Sequence, residues 1–191
     1  SLPPGQYQYG MKVTDLTSGR FGIVQGAISV EDFSGQDLSM SGVVLAHSVT
    51  PASGSGGFVR WGRYKVLPLP SRMFRRSQPV FVYYEVYGLD SAAGGGAGYR
   101  TTYTLESSDS GRNVVARFIS ALGERLGGGQ ERGAITYSFE RSQPGEADPL
   151  LEYFSLDVSE SPAGDYVLTV EGEDLTGGGT VQREVPLTLV E

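Results

Sequence analysis

Three absences from this sequence limit the chemistry that the protein can perform. Cysteine is missing from all 191 residues, which excludes disulfides, thiol catalysis and cysteine metal sites. Histidine occurs once, at His47 in an apolar stretch without a Gly-x-Ser-x-Gly motif, so we interpret it as a structural strand residue. A single histidine also disfavours zinc, and the glycine clusters lack phosphate-binding motifs. The sequence therefore predicts a non-enzymatic protein with no catalytic residues, no metal and no cofactor.

Long apolar runs and an initiator methionine are absent as well. No stretch approaches the roughly 18 apolar residues of a membrane helix, so we predict no transmembrane segment and membrane association only through partners. The start at Ser1, without a signal peptide, indicates a processed or excised segment. The formal charge of −7 disfavours general binding to nucleic acid.

The chain contains a repeat of its first segment near its end. Residues 3–19 match residues 162–178 at a constant offset of 159, with seven of seventeen positions identical. Each copy is typical of a β-hairpin that closes a domain. The repeat predicts a leading hairpin at residues 1–31, as the tail of a preceding sandwich or as a strand-adding arm, and a complete domain at residues 32–191. We expect removal of residues 1–31 to leave the rest folded but to impair assembly.

Alternation of apolar and polar residues predicts strands through much of the chain. The period of two is strong in residues 99–106, 135–140 and 166–171. Residues 80–89 are apolar on both faces apart from Glu85, which indicates a central strand. Together with 28 glycines and 10 prolines at the turns, this predicts an all-β, immunoglobulin-like antiparallel β-sandwich. The Gly-x-Tyr that ends at Tyr166 is similar to the tyrosine corner of such domains.

One segment departs from the strand pattern. Val114, Phe118, Leu122 and Leu126 are spaced four residues apart, which predicts a short amphipathic helix. The alternative is a strand within residues 114–121, because β-branched residues also occur there.

Residues 58–76 carry the strongest signal of an interaction surface. Aromatic and basic residues alternate there, and no acidic residue occurs between residues 38 and 84. Three interpretations are open: a connection with its aromatic residues in the core, a protein interface, or a surface for anionic lipid or polysaccharide. Aromatic residues and arginine dominate interface hot spots. The residues predicted to form a protein interface are Arg60, Trp61, Arg63, Tyr64, Lys65, Arg72, Met73, Phe74, Arg75 and Arg76.

Glu85 is the one acid in an otherwise apolar strand. We predict that it pairs with an arginine such as Arg100, since a buried carboxylate requires a partner. A buried functional carboxylate is the alternative.

Four motifs follow one another along the chain: PLPSRMF at residues 68–74, VYYEVYGL at 82–89, LD at 156–157 and PAGDY at 162–166. This order resembles the C-terminal β-sandwich region of bacterial GWxTD-domain proteins over most of the chain. The Gly-Trp-x-Thr-Asp motif is absent, so the namesake domain is missing. The resemblance implies an exported bacterial protein and brings no catalytic residues.

These features predict a structural or accessory subunit that contacts other proteins in a larger, membrane-associated assembly at the periplasmic or extracellular face of a bacterial envelope. Trp61, the neighbouring arginines and the hairpin at residues 7–30 would provide the contacts. A narrower hypothesis is an accessory subunit of a photosynthetic reaction-centre and antenna complex. The alternative is a carbohydrate- or ligand-binding module of a longer exported protein.

Overall fold

A computed structural model describes residues 2–35, 37–90, 96–109, 117–120, 125–126, 129–131, 134–144 and 149–191. Within these ranges the chain forms strands and no helix, and it divides into a unit of residues 1–35 and a unit of residues 36–191. The strands are β1 (Gly5–Thr14), β2 (Phe21–Val30), β3 (Ser39–Met40), β4 (Val44–Pro51), β5 (Val59–Arg60), β6 (Tyr64–Pro68), β7 (Met73–Arg75), β8 (Val80–Tyr87), β9 (Gly96–Ser107), β10 (Arg117–Ser120), β11 (Arg125–Leu126), β12 (Gly129–Glu131), β13 (Ala134–Pro144), β14 (Leu150–Asp157), β15 (Gly164–Asp174) and β16 (Thr180–Val190).

The smaller unit is a single antiparallel hairpin. Strands β1 and β2 form a two-stranded sheet that pairs from Gly5 with Val30 to Thr14 with Phe21. Two strands bury little apolar area and are marginally stable in water.

The larger unit contains two sheets. The first has the order β11-β10-β14-β8-β4-β6-β5, with β3 paired to β8, and the second has the order β12-β13-β9-β15-β16-β7. Neighbouring strands are antiparallel, except that β7 runs parallel to β16. The predicted all-β antiparallel sandwich is confirmed.

Aromatic side chains from both sheets meet in the core. Tyr84 of β8 and Tyr103 of β9 join their hydroxyl oxygens at 2.6 Å, and the Tyr103 ring lies 4.1 Å from that of Phe154. Burial raises the pKa of Tyr84 well above its ordinary value, so its hydroxyl stays protonated. Aliphatic residues fill the space around these rings: Met40, Leu105, Leu156, Leu168, Val170, Leu187 and Leu189.

Strand β8 is central, as its apolar sequence predicts, because β14 and β4 flank it. Successive side chains point to opposite faces of a strand. Tyr84 therefore enters the main core, whereas Tyr83 and Glu85 lie on the outer face of the first sheet. Tyr83 joins a second, smaller apolar cluster there, with Ala46, Val49 and Val66.

The helix predicted near residues 114–126 is wrong where the structure describes that segment. Residues 117–120 form β10, which pairs antiparallel with residues 154–157 of β14 and with β11. The edge of β14 supplies hydrogen-bond partners that a local helical pattern cannot reveal, and β-branched and aromatic residues suit a strand. The alternative strand within residues 114–121 is correct for 117–120; residues 114–116 and 121–124 lie outside the described residues.

Candidate protein interaction surface

The predicted interaction segment runs from the edge of one sheet to the edge of the other. Strands β5 and β6 end the first sheet, residues 69–72 form the connection, and β7 ends the second sheet beside β16. The five steps from Pro68 to Met73 span at most about 18 Å, so the end of β6 and the start of β7 lie close together. The segment thus links the last strands of the two sheets.

Trp61 occupies a strained position in the loop between β5 and β6. Its φ is 48°, followed by Gly62 at 65°, and the N–H of Arg63 donates to the carbonyl of Arg60 at 2.9 Å. A non-glycine residue in this left-handed region costs about 1–2 kcal/mol. The turn nevertheless places a 58 % exposed indole on the surface.

Glu85 holds that indole in place. Its Oε2 accepts a hydrogen bond of 3.0 Å from Trp61 Nε1 and another from the hydroxyl of Tyr87, while its Oε1 accepts one of 2.7 Å from Tyr83. Both oxygens of a carboxylate that is only 8 % exposed are thereby satisfied. The arrangement orients three aromatic side chains, Trp61, Tyr83 and Tyr87, around one carboxylate.

The predicted pairing of Glu85 with Arg100 is wrong. Arg100 lies on β9 in the second sheet, where its guanidinium donates to Glu140 at 3.0 Å and to Glu173 at 2.5 Å. Glu85 faces outward from the first sheet, so the two residues belong to different surfaces. Three neutral donors replace the expected cation.

Tyr83 connects this site to the apolar cluster beneath it. Burial raises the pKa of its hydroxyl far above the ordinary value, and the hydrogen bond to Glu85 adds to the shift. The hydroxyl is therefore a permanent donor. Nearby, Tyr64 packs edge-on against Tyr153, with ring centroids 4.9 Å apart. The base of the Trp61 loop is thus anchored by aromatic packing as well as by hydrogen bonds.

Arg72 is the second strained residue of the segment. Its φ is 53°, its N–H donates to the Leu69 carbonyl at 3.0 Å, and its own carbonyl accepts from Thr188 at 2.9 Å. Arg72 lines a small groove of about 220 Å³ together with residues of β15 and β16. Among the described residues, Trp61 and Arg72 are the two non-glycine residues with a positive φ.

The structure divides the ten predicted interface residues by exposure. Phe74 is 2 % exposed and contacts the main core, so it is a core residue and not a surface contact. Arg76 is half-buried, with a guanidinium nitrogen 3.7 Å from a carboxylate oxygen of Glu191. The other half-buried members are Arg60 and Tyr64, and the exposed members are Trp61, Arg63, Lys65, Arg72, Met73 and Arg75.

The sequence missed the link between Trp61 and Glu85. The two residues are 24 positions apart, and no local pattern joins a loop to a central strand. The available signal was chemical: a single tryptophan, a lone acid in an apolar strand and tyrosines on either side of that acid. His47 is exposed on β4, where the register between β4 and β6 shifts.

The described residues contain neither a candidate metal site nor a candidate membrane-spanning helix. In that part of the chain no group of three histidine, cysteine or acidic residues is placed to hold a metal ion. No helix found there is long and apolar enough to cross a membrane.

Comparison with known proteins gives no family for this chain. No protein-family model matches it, and no curated protein is similar to it in sequence. One solved structure, described as "AvmM Catalyzes Macrocyclization in Alchivemycin A Biosynthesis", is similar to it at a TM-score of 0.42 and 7 % identity. The similarity covers 64 % of this chain and 85 % of that one. A similarity at this level transfers no activity to this chain.

Proposed function

We propose that the chain is a non-enzymatic structural or accessory module that contacts other proteins of a larger extracytoplasmic bacterial assembly. The observation that carries this proposal is the location of backbone strain. Both non-glycine residues with a positive φ in the described ranges, Trp61 and Arg72, belong to the segment predicted to form the interface. Strain of this kind persists where the surrounding structure enforces it, and it is concentrated at functional sites.

The chemistry of the surface supports a protein partner. A tryptophan whose orientation is fixed by Glu85 loses little conformational freedom on binding, which favours affinity. Two exposed cations, Arg63 and Lys65, follow it in the sequence, and tryptophan and arginine are among the residues enriched in interface hot spots. The bacterial and extracytoplasmic parts of the proposal rest on the resemblance to GWxTD-domain proteins.

Gradient sedimentation of gently solubilised source membranes, with mass spectrometry of each fraction, tests the proposal. We expect the chain in a heavy particle, and we expect Trp61→Ala to release it while His47→Ala, an exposed change on β4, does not. Sedimentation of the wild-type chain as a free species of about its own mass, 20.4 kDa, would contradict the proposal.

A carbohydrate-binding module is the second candidate, because the exposed indole of Trp61 is held rigidly, as stacking on a sugar ring requires. Binding on a glycan array that is lost in Trp61→Ala would favour this candidate. Silence on the array together with co-sedimenting proteins would favour the structural module.

A further inference from the structure

The hairpin of β1 and β2 and the hairpin of β15 and β16 have the same strand pairing. Their residue numbers differ by 159, which is the offset of the sequence repeat. Tyr7 pairs with Ile28, and 159 residues later Tyr166 pairs with Leu187. The offset holds at both ends of the ladder, where the pairs 5–30 and 14–21 correspond to the pairs 164–189 and 173–180. The two hairpins therefore have the same pairing register along their whole length, and their similarity is not limited to the turns.

Side-chain hydrogen bonds are repeated as well. The hydroxyl of Tyr7 donates to the carbonyl of Pro3 at 2.8 Å, and that of Tyr166 donates to Pro162 at 2.7 Å. The turns match in the same way. Oδ1 of Asp15 accepts the backbone N–H of Thr17 at 2.8 Å, and Oδ1 of Asp174 accepts that of Thr176 at 2.7 Å. The first hairpin thus repeats these local hydrogen bonds of the closing hairpin.

The two copies differ in what covers them. In the second copy, Leu168, Val170 and Leu187 face the opposite sheet and are at most 2 % exposed. At the equivalent positions of the first copy, Tyr9, Met11 and Ile28 are 47 %, 57 % and 51 % exposed. The edge differs too, because β15 pairs with β9 along the side away from β16, whereas β1 and β2 form a sheet of two strands. The first hairpin has an apolar face and a strand edge that a sandwich would cover.

The cover of the second hairpin is matched to two glycines that the first hairpin lacks. Position 177 is glycine, and a Cβ there would lie 2.2 Å from Oδ2 of Asp90, but the equivalent residue of the first hairpin is Ser18. Likewise, a Cβ at Gly172 would lie 3.3 Å from Cε of Met40, and its equivalent is Val13. Residues 36–161 of another copy would therefore have to shift the side chains of Asp90 and Met40 in order to cover the first hairpin.

The two turns differ in the donor that reaches Oδ2 of the aspartate. In the second copy, Oδ2 of Asp174 accepts the backbone N–H of Asp90 at 2.8 Å. In the first copy, Oδ2 of Asp15 is occupied by the hydroxyl of Ser18 at 2.6 Å. Ser18 replaces the hydrogen bond that the loop after β8 supplies in the second copy.

We propose that residues 3–30 are the closing hairpin of a second immunoglobulin-like sandwich, formed by a segment that precedes them in the same polypeptide. The order of strands supports this location, because β9 and β7, which pair with the second hairpin, both precede it in the chain. One strand of that segment pairs antiparallel along the outer edge of β1, as β9 pairs along β15. The inner face of the preceding sandwich covers Met11 and the apolar residues beside it. No loop of that sandwich lies over Ser18.

The absence of cysteine makes thiol labelling a direct test. Met11→Cys reports on the apolar face, and Gln8→Cys, exposed on the opposite face of the same strand, is the matched control. In a chain of residues 1–191, we expect a maleimide to label both positions at similar rates. In the longest natural polypeptide that contains these residues, we expect labelling at position 11 to slow at least tenfold and labelling at position 8 to stay fast.

A benzophenone maleimide attached at position 11 then identifies the cover. A cross-link within the same polypeptide to a strand that precedes residue 3 supports the proposal. A cross-link to residues 36–191 of a second copy, a cross-link to a separate polypeptide, or equally fast labelling at both positions overturns it. None of these readouts depends on the Trp61 surface, so this inference and the proposed function can fail separately.

Discussion

Trp61 Nε1 donates a hydrogen bond of 3.0 Å to Oε2 of Glu85, and this bond joins an exposed loop to the central strand of the first sheet. The loop backbone at Trp61 is in the left-handed region, which by itself opposes the fold. The buried carboxylate offsets that cost by fixing the indole. The relationship explains how a mostly exposed aromatic residue has a defined orientation.

Replacement of Trp61 by phenylalanine distinguishes the contribution of the aromatic ring from that of the hydrogen bond. Trp61→Phe keeps an aromatic side chain but leaves Glu85 with two donors, those of Tyr83 and Tyr87. Loss of one hydrogen bond to a charged acceptor is expected to lower the free energy of unfolding by about 1.5–3 kcal/mol. Urea denaturation followed by circular dichroism measures the change. Unaltered stability would show that the hydrogen bond does not hold the loop.

Two neighbouring residues of β7 test the assignment of the interface. Phe74 is 2 % exposed and Met73 is 53 % exposed, so Phe74→Ala is expected to cost about 3–5 kcal/mol and Met73→Ala less than about 0.5 kcal/mol. Equilibrium unfolding of both variants measures the difference. Similar costs would place Met73 in the core as well and remove it from the proposed contact surface.

Position 177 tests the close approach of the loop after β8. In Gly177→Ser the new Cβ would lie 2.2 Å from Oδ2 of Asp90 and 3.0 Å from Oδ2 of Asp174, and we expect a loss of about 1–3 kcal/mol, because both carboxylates must shift and Asp174 accepts the backbone N–H of Asp90. The matched change Ser18→Gly lies in the exposed turn of the first hairpin and is expected to cost less than about 1 kcal/mol. Thermal unfolding compares the pair. An equal effect at both positions would argue that the two turns have the same surroundings.

The sequence was sufficient for the all-β class and for the strands with strong alternation, and it was insufficient for the site. Alternation along residues 166–171 is a local property, because successive side chains of a strand point to opposite faces, and it therefore predicts the strand β15. Residues 117–120 were ambiguous because their partner, β14, lies more than 30 positions away in sequence. The hydrogen bond from Trp61 to Glu85 depends on the same kind of distant contact, and so does the burial of Phe74 beside an exposed Met73.

The pH dependence of stability is expected to involve Asp174. Burial alone raises the pKa of this carboxyl, but backbone N–H groups of Asp90, Gly177 and Thr176 together hold it below the ordinary value. A pKa lowered in the folded state stabilises the protein above the unfolded pKa of about 3.9, and this stability is lost as the pH falls through the folded pKa. We therefore expect Asp174→Asn to be less stable than wild type at about pH 6, and the difference to shrink below about pH 4. A difference that is constant with pH would exclude the carboxylate as its source.

Deletion of residues 1–31 tests whether the larger unit is stable without the hairpin. Residues 36–191 contain both sheets and the whole of the main apolar core, from Met40 to Leu189. Because the hairpin forms a separate two-stranded sheet, its removal takes no strand from either sheet of the sandwich. We expect the truncated chain to unfold cooperatively, with a midpoint within a few degrees of that of the full chain, by differential scanning calorimetry. Loss of the cooperative transition would show that the hairpin contributes strands to the same folding unit, and the division at residue 35 would then have no energetic meaning.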